Sequence, residues 1–283
     1  MNSPSSWPER MLMLGCGNMG GAMLAGWLAG GFEASRFTVV DPHLPKAPKG
    51  VTLLRELPVA QDGGGDFDAV LLGVKPQMLD DVAPALARLI GPETVVLSIL
   101  AGVELASLAT RLPNAGGYVR IMPNLAAAIG KSPMGLVARG LDNERLQGAA
   151  QAQVSALLTP LGKPEWLANE DLLHAVTALA GSGPAFVYRF IDGLAQAGER
   201  LGLPREQADR LALAMVEGAG LLAGASEHAP GELARRVASP GGTTQAGLDV
   251  LDDGQALASL LTETLTAARD RSIEMAQAAR KAP

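Results

Sequence analysis

The chain has 283 residues, 48% of them hydrophobic and 18% charged, with a formal net charge of -6. This length suits two domains with a core each, and the mildly acidic balance argues against a nucleic-acid-binding protein, which needs clustered Lys and Arg. Cys16 is the single cysteine, which excludes an intramolecular disulfide and suits a reducing compartment. We therefore expect a cytoplasmic globular protein.

Residues 11–32 contain no charged side chain, so a membrane span or a signal peptide has to be considered. The same stretch holds many glycines and Asn18, which would weaken an apolar helix. Only Met11 to Leu14 form an apolar run between Arg10 and the turn at Cys16, too short for a lipoprotein signal. Both membrane interpretations are therefore disfavoured.

The first half of the chain alternates short apolar runs with helix-like stretches, the pattern of a parallel sheet with crossover helices. The predicted strands are Arg10–Leu14, Phe37–Val40, a weak segment at Val51–Leu54, Ala69–Val74, 94–100, 117–124, 134–140 and a short strand near Glu165–Leu167. The predicted helices are Met19–Ala29, 76–90, 104–112 and 143–162. Residues 1–168 are thus expected to form an α/β domain with a Rossmann-type parallel sheet.

After Asn169 the strand patterns disappear and helices follow one another, which predicts a second, all-α domain over residues 169–283. The predicted helices are 171–180, 184–201, 204–225, 231–238 and two more between Thr243 and the end of the chain. Apolar residues occupy more than one face of the segment 211–225, which favours packing on several sides, as in an interlocked dimer.

A glycine-rich turn joins the first predicted strand to the first predicted helix with the spacing G-x-G-x-x-G. Such a turn lets a pyrophosphate approach the backbone amides at a helix N-terminus. About 20 residues further on, Asp41 ends the second strand, where a carboxylate accepts hydrogen bonds from an adenosine ribose and repels a 2′-phosphate. The predicted cofactor-binding residues here are Gly15, Cys16, Gly17, Asn18, Met19, Gly20 and Asp41.

Asp41 leaves the choice of dinucleotide open. It begins an Asp-Pro turn and could serve only to end the strand. His43, Lys46 and Lys49 follow closely and would offset the repulsion of a 2′-phosphate. Both NAD and NADP therefore remain compatible with the pattern.

Two further turns lie at the predicted carboxyl ends of strands, where open α/β sheets bind ligands. The first contains Val74, Lys75 and Pro76, and Lys75 suits a cofactor ribose, an anionic substrate or simply a solvated loop. The second is the sequence MPN, in which Asn124 could orient a nicotinamide amide or form the turn itself.

In the helical half, the segments GSGPAF (181–186) and SPGGTT (239–244) each lead into a predicted helix. Free N–H groups and the positive end of the helix dipole at such places suit a small carboxylate. Ordinary capping is the alternative, with Thr243 as N-cap and Pro184 in the first helical turn.

Five motifs of the chain resemble, in order and approximate spacing, those of pyrroline-5-carboxylate reductases, the last enzymes of proline synthesis. They are GCGNMGG, GVKPQ, VRIMPN, HAVTALAGSGPAFVY and ASPGGTT. The resemblance spans about residues 11–279. It implies an NAD(P)-binding Rossmann domain followed by a helical domain that interlocks with a second subunit. Many members also assemble dimers into decamers.

The resemblance implies hydride transfer from NADH or NADPH to the imine carbon of 1-pyrroline-5-carboxylate, giving L-proline without a metal. Thr244 is the implied catalytic residue, because its hydroxyl would hydrogen-bond the imine nitrogen. The implied substrate-binding residues are Ser182, Gly183, Pro184, Ser239, Gly241, Gly242, Thr243 and Thr244. Glu227 matches an acidic position that relatives place near the cofactor.

The chain departs from the common family pattern in features that concern the cofactor. Leu125 and Ala126 replace the Thr-Pro that usually follows MPN, no Asn follows Leu54, and Asp41 stands where NADPH users often carry polar or basic residues. The substrate motifs are intact, so the expected reaction stands.

Two alternatives remain to be weighed against this expectation. The β-hydroxyacid dehydrogenases share the glycine turn and a helical second domain. They use a catalytic Lys in the middle of the first long helix of that domain, and residues 192–201 contain no Lys. A non-catalytic dinucleotide-binding protein is disfavoured because both the glycine turn and the SPGGTT segment are retained.

Overall fold

The computed structural model describes residues 7–60, 65–141 and 150–281, with side chains up to residue 278. The chain forms two compact units. The first contains the chain up to Gly181 and also its end from Arg269 onward. The second comprises Ser182–Ala268. No described helix is both long and apolar enough to cross a membrane.

A single sheet of eight described strands forms the centre of the first unit, in the order β3-β2-β1-β4-β5-β6-β7-β8. The strands are β1 Met11–Leu14, β2 Phe37–Val40, β3 Thr52–Leu54, β4 Ala69–Leu72, β5 Val95–Ser98, β6 Gly117–Met122, β7 Ser132–Arg139 and β8 Gly162–Trp166. Every predicted strand is present, and the sheet is parallel from β3 to β6. The expected Rossmann-type sheet is therefore confirmed.

The last two strands depart from the expected all-parallel arrangement. β7 runs antiparallel to β6, with Met122 opposite Gly135, and β8 is parallel to β7. The short connection 123–131 is the reason, because a parallel crossover needs about a dozen residues or more. The chain therefore turns back directly after β6.

The helices of the first unit are α1 Asn18–Ala29, α2 Leu79–Leu86, α3 Leu105–Arg111, α4 Ala150–Leu158 and α5 Leu172–Val176. The helix predicted over 76–90 is shorter, because Pro76–Met78 forms a 3-10 turn and α2 ends at Leu86. Of the helix predicted over 143–162, residues 143–149 lie outside the described part of the chain, and Thr159–Leu161 form a 3-10 turn.

Both faces of the sheet are covered by apolar packing. Met11 and Met13 of β1 face a cluster that contains Trp27, whose ring stacks on Phe37 at 5.6 Å between centroids. The Trp27 indole N–H also donates to the Leu157 carbonyl at 2.8 Å. Leu12 and Leu14 point into the cluster on the other face. Because β1 is packed on both faces, the start of the turn that follows it is held in place.

The second unit consists of helices joined by short loops. They are α6 Gly183–Arg200, α7 Arg205–Ala225, α8 Pro230–Val237, α9 Thr243–Asp252 and α10 Ala256–Lys281, whose last turns belong to the first unit. The predicted all-helical pattern after Asn169 is confirmed. The helix predicted over 171–180 is α5 followed by a π-helical turn, Thr177–Gly181, and Ser182 alone separates that turn from α6.

Large apolar side chains of the second unit are exposed, whereas its buried cluster is made of small residues. Ala195, Ala208 and Ala212 form that cluster. Leu222 on α7, by contrast, is 73% exposed, and Leu260 on α10 is also exposed. An apolar surface of this kind marks an interaction face.

Candidate active site

The three glycines of the turn after β1 meet three different constraints. Gly15 has φ of +88°, and a Cβ there would lie 2.8 Å from the Gly73 carbonyl carbon. A Cβ on Gly20 would lie 2.9 Å from the Gly15 carbonyl oxygen. A Cβ on Gly17 would meet no atom within 4 Å, so the space beside that backbone is open. These are the requirements of a tight turn, close helix–strand packing and room for a pyrophosphate.

The N-terminus of α1 has free donors beside that open space. Gly17 is the N-cap and supplies no side-chain hydrogen bond to the first turn. The first helical amides belong to Asn18, Met19 and Gly20, and they point along the helix axis toward an incoming anion. The turn therefore fits the phosphate groups of a dinucleotide.

Asp41, at the end of β2, is joined to the glycine turn by a hydrogen bond. The Cys16 N–H donates to Asp41 Oδ2 at 2.9 Å, and the His43 and Leu44 N–H groups donate to Oδ1 at 2.8 and 3.0 Å. Burial acts to raise the pKa of Asp41, but these backbone bonds and the nearby His43 outweigh it and lower the pKa. The carboxylate is therefore ionised and fixed in orientation.

The Cys16 side chain belongs to the core rather than to the ligand space. It is buried among the apolar residues that include Met23. Burial, together with the charge of Asp41, raises the pKa of the thiol above its usual value. Cys16 thus serves the turn through its backbone N–H, while its neutral thiol packs inward.

Arg55, just after β3, holds the loop formed by residues 41–44, and it is not among the predicted site residues. Its Nη1 donates to the carbonyl oxygens of Asp41, Pro42 and Leu44 at 3.0, 3.4 and 2.6 Å. The loop 41–44 is therefore held from two sides, by the Asp41 carboxylate within it and by Arg55 from outside. A basic residue directly after a weak strand is the only sequence signal for this contact.

The turn after β4 lies against the glycine turn, as predicted for residues that share the carboxyl edge of a sheet. The Gly73 N–H donates to the Leu14 carbonyl at 2.8 Å, and a Cβ on Gly15 would lie 2.9 Å from the Val74 nitrogen. Lys75 is exposed and precedes the 3-10 turn that begins at Pro76.

Asn124 follows β6 and is only 9% exposed. Its Oδ1 accepts from the Ala126 N–H at 3.0 Å, which caps the 3-10 turn Leu125–Ile129. Its Nδ2 donates to the Ala180 carbonyl at 3.0 Å, and its backbone N–H donates to Ser132 Oγ at 2.9 Å. Both atoms of the side-chain amide are thus engaged within the protein.

The predicted substrate residues lie in the second unit, at the starts of two helices. Ser182 is the N-cap of α6, with Gly183 and Pro184 in its first turn, as the sequence predicted for Pro184. Glu227 is exposed in the loop between α7 and α8.

The segment 239–244 forms a tight turn into α9. The Gly242 N–H donates to the Ser239 carbonyl at 2.9 Å, and Gly241 has φ of +72°. The alternative in which Thr243 is the N-cap is wrong, because Gly242 has the extended capping conformation and its carbonyl accepts from the Ala246 N–H. Thr243 is instead the first helical residue, and the neighbouring Thr244 is exposed.

The parallel sheet, the glycine turn and the carboxylate after β2 define a nicotinamide-dinucleotide-dependent oxidoreductase. Residues 10–102 match the family model described as NADP oxidoreductase coenzyme F420-dependent. Residues 170–275 match the model for pyrroline-5-carboxylate reductase dimerisation. The chain belongs to the pyrroline-5-carboxylate reductase family.

Individual relatives support this membership along the whole chain. A pyrroline-5-carboxylate reductase of Pseudomonas aeruginosa is 37% identical over 270 residues, which cover 95% of this chain and 97% of the relative. One from Pasteurella multocida is 33% identical, with coverage of 94% and 98%. The solved structure of the Coxiella burnetii enzyme superimposes with a TM-score of 0.84 at 30% identity, covering 94% of this chain and 98% of that one. The resemblance found in the sequence is confirmed, and the dimerisation model indicates a homo-oligomer.

Proposed function

We propose that this protein reduces 1-pyrroline-5-carboxylate to L-proline with NADH or NADPH, the last step of proline biosynthesis. The observation that carries the proposal is the 37% identity to a pyrroline-5-carboxylate reductase over 95% of the chain. The intact glycine turn and the SPGGTT segment support it, because a reductase needs both a place for the cofactor and a place for the imine.

On the cofactor side, the amides of Asn18, Met19 and Gly20 would bind the pyrophosphate, and the Asp41 carboxylate would bind the adenosine ribose. The open space beside Gly17 would let the pyrophosphate approach these amides. Lys75 and Glu227 would contact more exposed parts of the same molecule. When bound, the dinucleotide supplies the hydride.

On the substrate side, the Thr244 hydroxyl donates a hydrogen bond to the imine nitrogen. This bond counters the negative charge that would develop on that nitrogen as the neighbouring carbon is reduced. An unperturbed hydroxyl does not ionise near neutrality, so the proton on the product nitrogen comes from solvent. The backbone N–H groups of Ser239, Gly241 and Thr243 hold the substrate carboxylate, with Gly242 shaping the turn between them. Ser182, Gly183 and Pro184 line the pocket.

The same proposal covers organisation and location. By function, we assign cofactor binding to residues 1–168 and substrate binding with dimerisation to residues 169–283. The compact units divide later, after Gly181, and the end of the chain from Arg269 belongs to the first. Two chains form a homodimer through the C-terminal helices, and dimers assemble further into a decamer. The protein works in the cytoplasm, where its thiol Cys16 stays reduced.

The proposal is tested by mixing the purified protein with reduced cofactor and pyrroline-5-carboxylate. We expect the absorbance of NADH or NADPH to fall only when the imine is present, with one proline formed for each cofactor oxidised. Oxidation of neither cofactor, with no proline formed, would contradict the proposal. Small 3-hydroxyacids serve as control substrates, and turnover with these alone would indicate a β-hydroxyacid dehydrogenase.

The role of Thr244 is tested by Thr244→Val, which removes the hydroxyl and keeps the shape. We expect kcat to fall at least about tenfold, which corresponds to roughly 1.4 kcal/mol of lost transition-state stabilisation. Thr262→Val is the matched control, because the Thr262 hydroxyl bonds the Ala258 carbonyl of its own helix and is exposed. An unchanged kcat in Thr244→Val would remove Thr244 from the mechanism.

A further inference from the structure

The Asn124 amide joins two segments that are far apart in sequence. Its Nδ2 donates to the carbonyl of Ala180, 56 residues away, at 3.0 Å. The orientation of the amide is fixed, because Oδ1 faces a donor, the Ala126 N–H, and Nδ2 faces an acceptor. With the side chain 9% exposed, this is a buried and directed contact.

The Ala180 carbonyl lacks its usual helical donor, because the residue four positions later, Pro184, has no N–H. In a regular helix this carbonyl would accept from the N–H of residue 184. The next amide along, that of Ala185, donates to the Ser182 carbonyl at 3.0 Å. The chain widens here into the π-helical turn Thr177–Gly181, a distortion that is frequent at functional sites.

We infer that Asn124 is a positioning residue: its amide replaces the N–H that Pro184 lacks and so fixes the turn that leads into Ser182–Pro184. This inference rests on the proposed function, in which that segment lines the substrate pocket. It differs from the role first expected for Asn124, orientation of the nicotinamide amide. A positioning role affects imine binding, whereas a nicotinamide contact affects cofactor binding.

A measurement of thermal stability tests the inference independently of enzymatic activity. Asn124→Ser keeps a capping oxygen for the Ala126 N–H but is too short to reach Ala180. Pro184→Ala restores an N–H at position 184. At fixed protomer concentration, we expect the Tm loss caused by Asn124→Ser to shrink by at least about half in the Pro184→Ala background. Equal losses in the two backgrounds would overturn the inference.

Asn169→Ser is the matched control for this cycle. The Asn169 Oδ1 also accepts from a backbone N–H at the start of a helix, that of Leu172 at 3.2 Å. Its substitution therefore changes an Asn that makes a similar local hydrogen bond. We expect its Tm effect to be the same with and without Pro184→Ala, and a difference would mean that Pro184→Ala acts on Asn residues of this kind in general.

Kinetics distinguish positioning from cofactor contact. In Asn124→Ser we expect the KM for pyrroline-5-carboxylate to rise at least about tenfold while the Kd for NADH or NADPH, from fluorescence titration, changes less than about twofold. A raised cofactor Kd with an unchanged imine KM would overturn the inference in favour of the nicotinamide role. If the wild-type protein has no reductase activity, the proposed function fails, and the Tm cycle still decides whether Asn124 and Pro184 are coupled.

Discussion

At the scale of single residues, the Asp41 carboxylate has a structural role, and we propose a second role for it in the choice of cofactor. It accepts hydrogen bonds from the backbone amides of Cys16, His43 and Leu44, which orders both the glycine turn and the loop 41–44. Those bonds keep it ionised, and a charge at this position opposes a second negative charge. We therefore expect the same carboxylate that shapes the turn to affect the choice between NADH and NADPH.

Asp41→Ser tests this choice. We expect the ratio of kcat/KM for NADH to that for NADPH to fall at least about tenfold, because a ribose contact is lost and a repulsion is removed. Asp68→Ser is the matched control: Asp68 Oδ2 likewise accepts from backbone amides, those of Glu9 and Arg10, at the opposite edge of the sheet. An unchanged ratio in Asp41→Ser would mean that Asp41 serves only to end the strand.

Some residues of the proposed cofactor site could be predicted from the sequence, because only glycine fits their backbone positions. Gly15 and Gly20 could be assigned roles because the turn tolerates no Cβ there. The contacts of Arg55 and the bond from Asn124 to Ala180 could not be predicted, because their partners are backbone carbonyls. A carbonyl is present at every residue, so the sequence does not mark which one is left without a donor.

At the scale of secondary-structure elements, one ion pair connects three of them. Arg120 on β6 pairs with Glu170 at 2.5 Å, just before α5, and Glu170 Oε1 also accepts from the Leu105 N–H at the start of α3. Arg120 is buried, and the Glu170 side chain is 27% exposed. The pair anchors the chain where it leaves the sheet for the helices.

Arg120→Met removes the charge and keeps most of the volume. We expect the free energy of unfolding to fall by about 2 to 3 kcal/mol, less than the roughly 3–5 kcal/mol of a fully buried pair because Glu170 retains some solvent. Arg111→Met, which breaks the exposed pair with Asp80, is the control and should cost clearly less, because solvent screens that pair. Equal losses in chemical denaturation would mean that burial of the Arg120 pair has no effect.

The elements themselves followed largely from periodicity. Short apolar runs located the central strands β1, β2, β4, β5 and β6, because a strand buried on both faces needs continuous apolar residues. The partly exposed β3 and β8 gave weaker patterns. The direction of β7 was not predicted, because it follows from the length of the connection 123–131 and not from periodicity. The π-helical turn Thr177–Gly181 could not be predicted either, because its apolar pattern is that of an ordinary helix.

At the scale of the whole molecule, the second unit is not self-sufficient. Its buried cluster consists of alanines, while leucines such as Leu222 and Leu260 are exposed. A second copy of the same chain offers an equivalent apolar surface, and membership of a dimerising family agrees with this.

Leu222→Asp tests whether α7 lies in the interface. A residue in a twofold interface is substituted twice per dimer, and each buried leucine contributes about 1.5–3 kcal/mol. We therefore expect the dimer dissociation constant to rise at least about 100-fold, measured as molar mass across a dilution series. Val59→Asp is the control, since Val59 is 94% exposed and lies in the first unit. An unchanged mass in Leu222→Asp would place the interface elsewhere.

The Arg55 contacts have a consequence for how this enzyme changes over evolution. Because Arg55, just after β3, donates hydrogen bonds to three carbonyls of the loop 41–44, we expect the path of the loop to depend little on the side chains at Pro42 and His43. We expect exchanges at those two positions to alter the charge near the proposed ribose site while the backbone stays in place. A lineage could then change its preferred electron donor through single substitutions at little cost in stability.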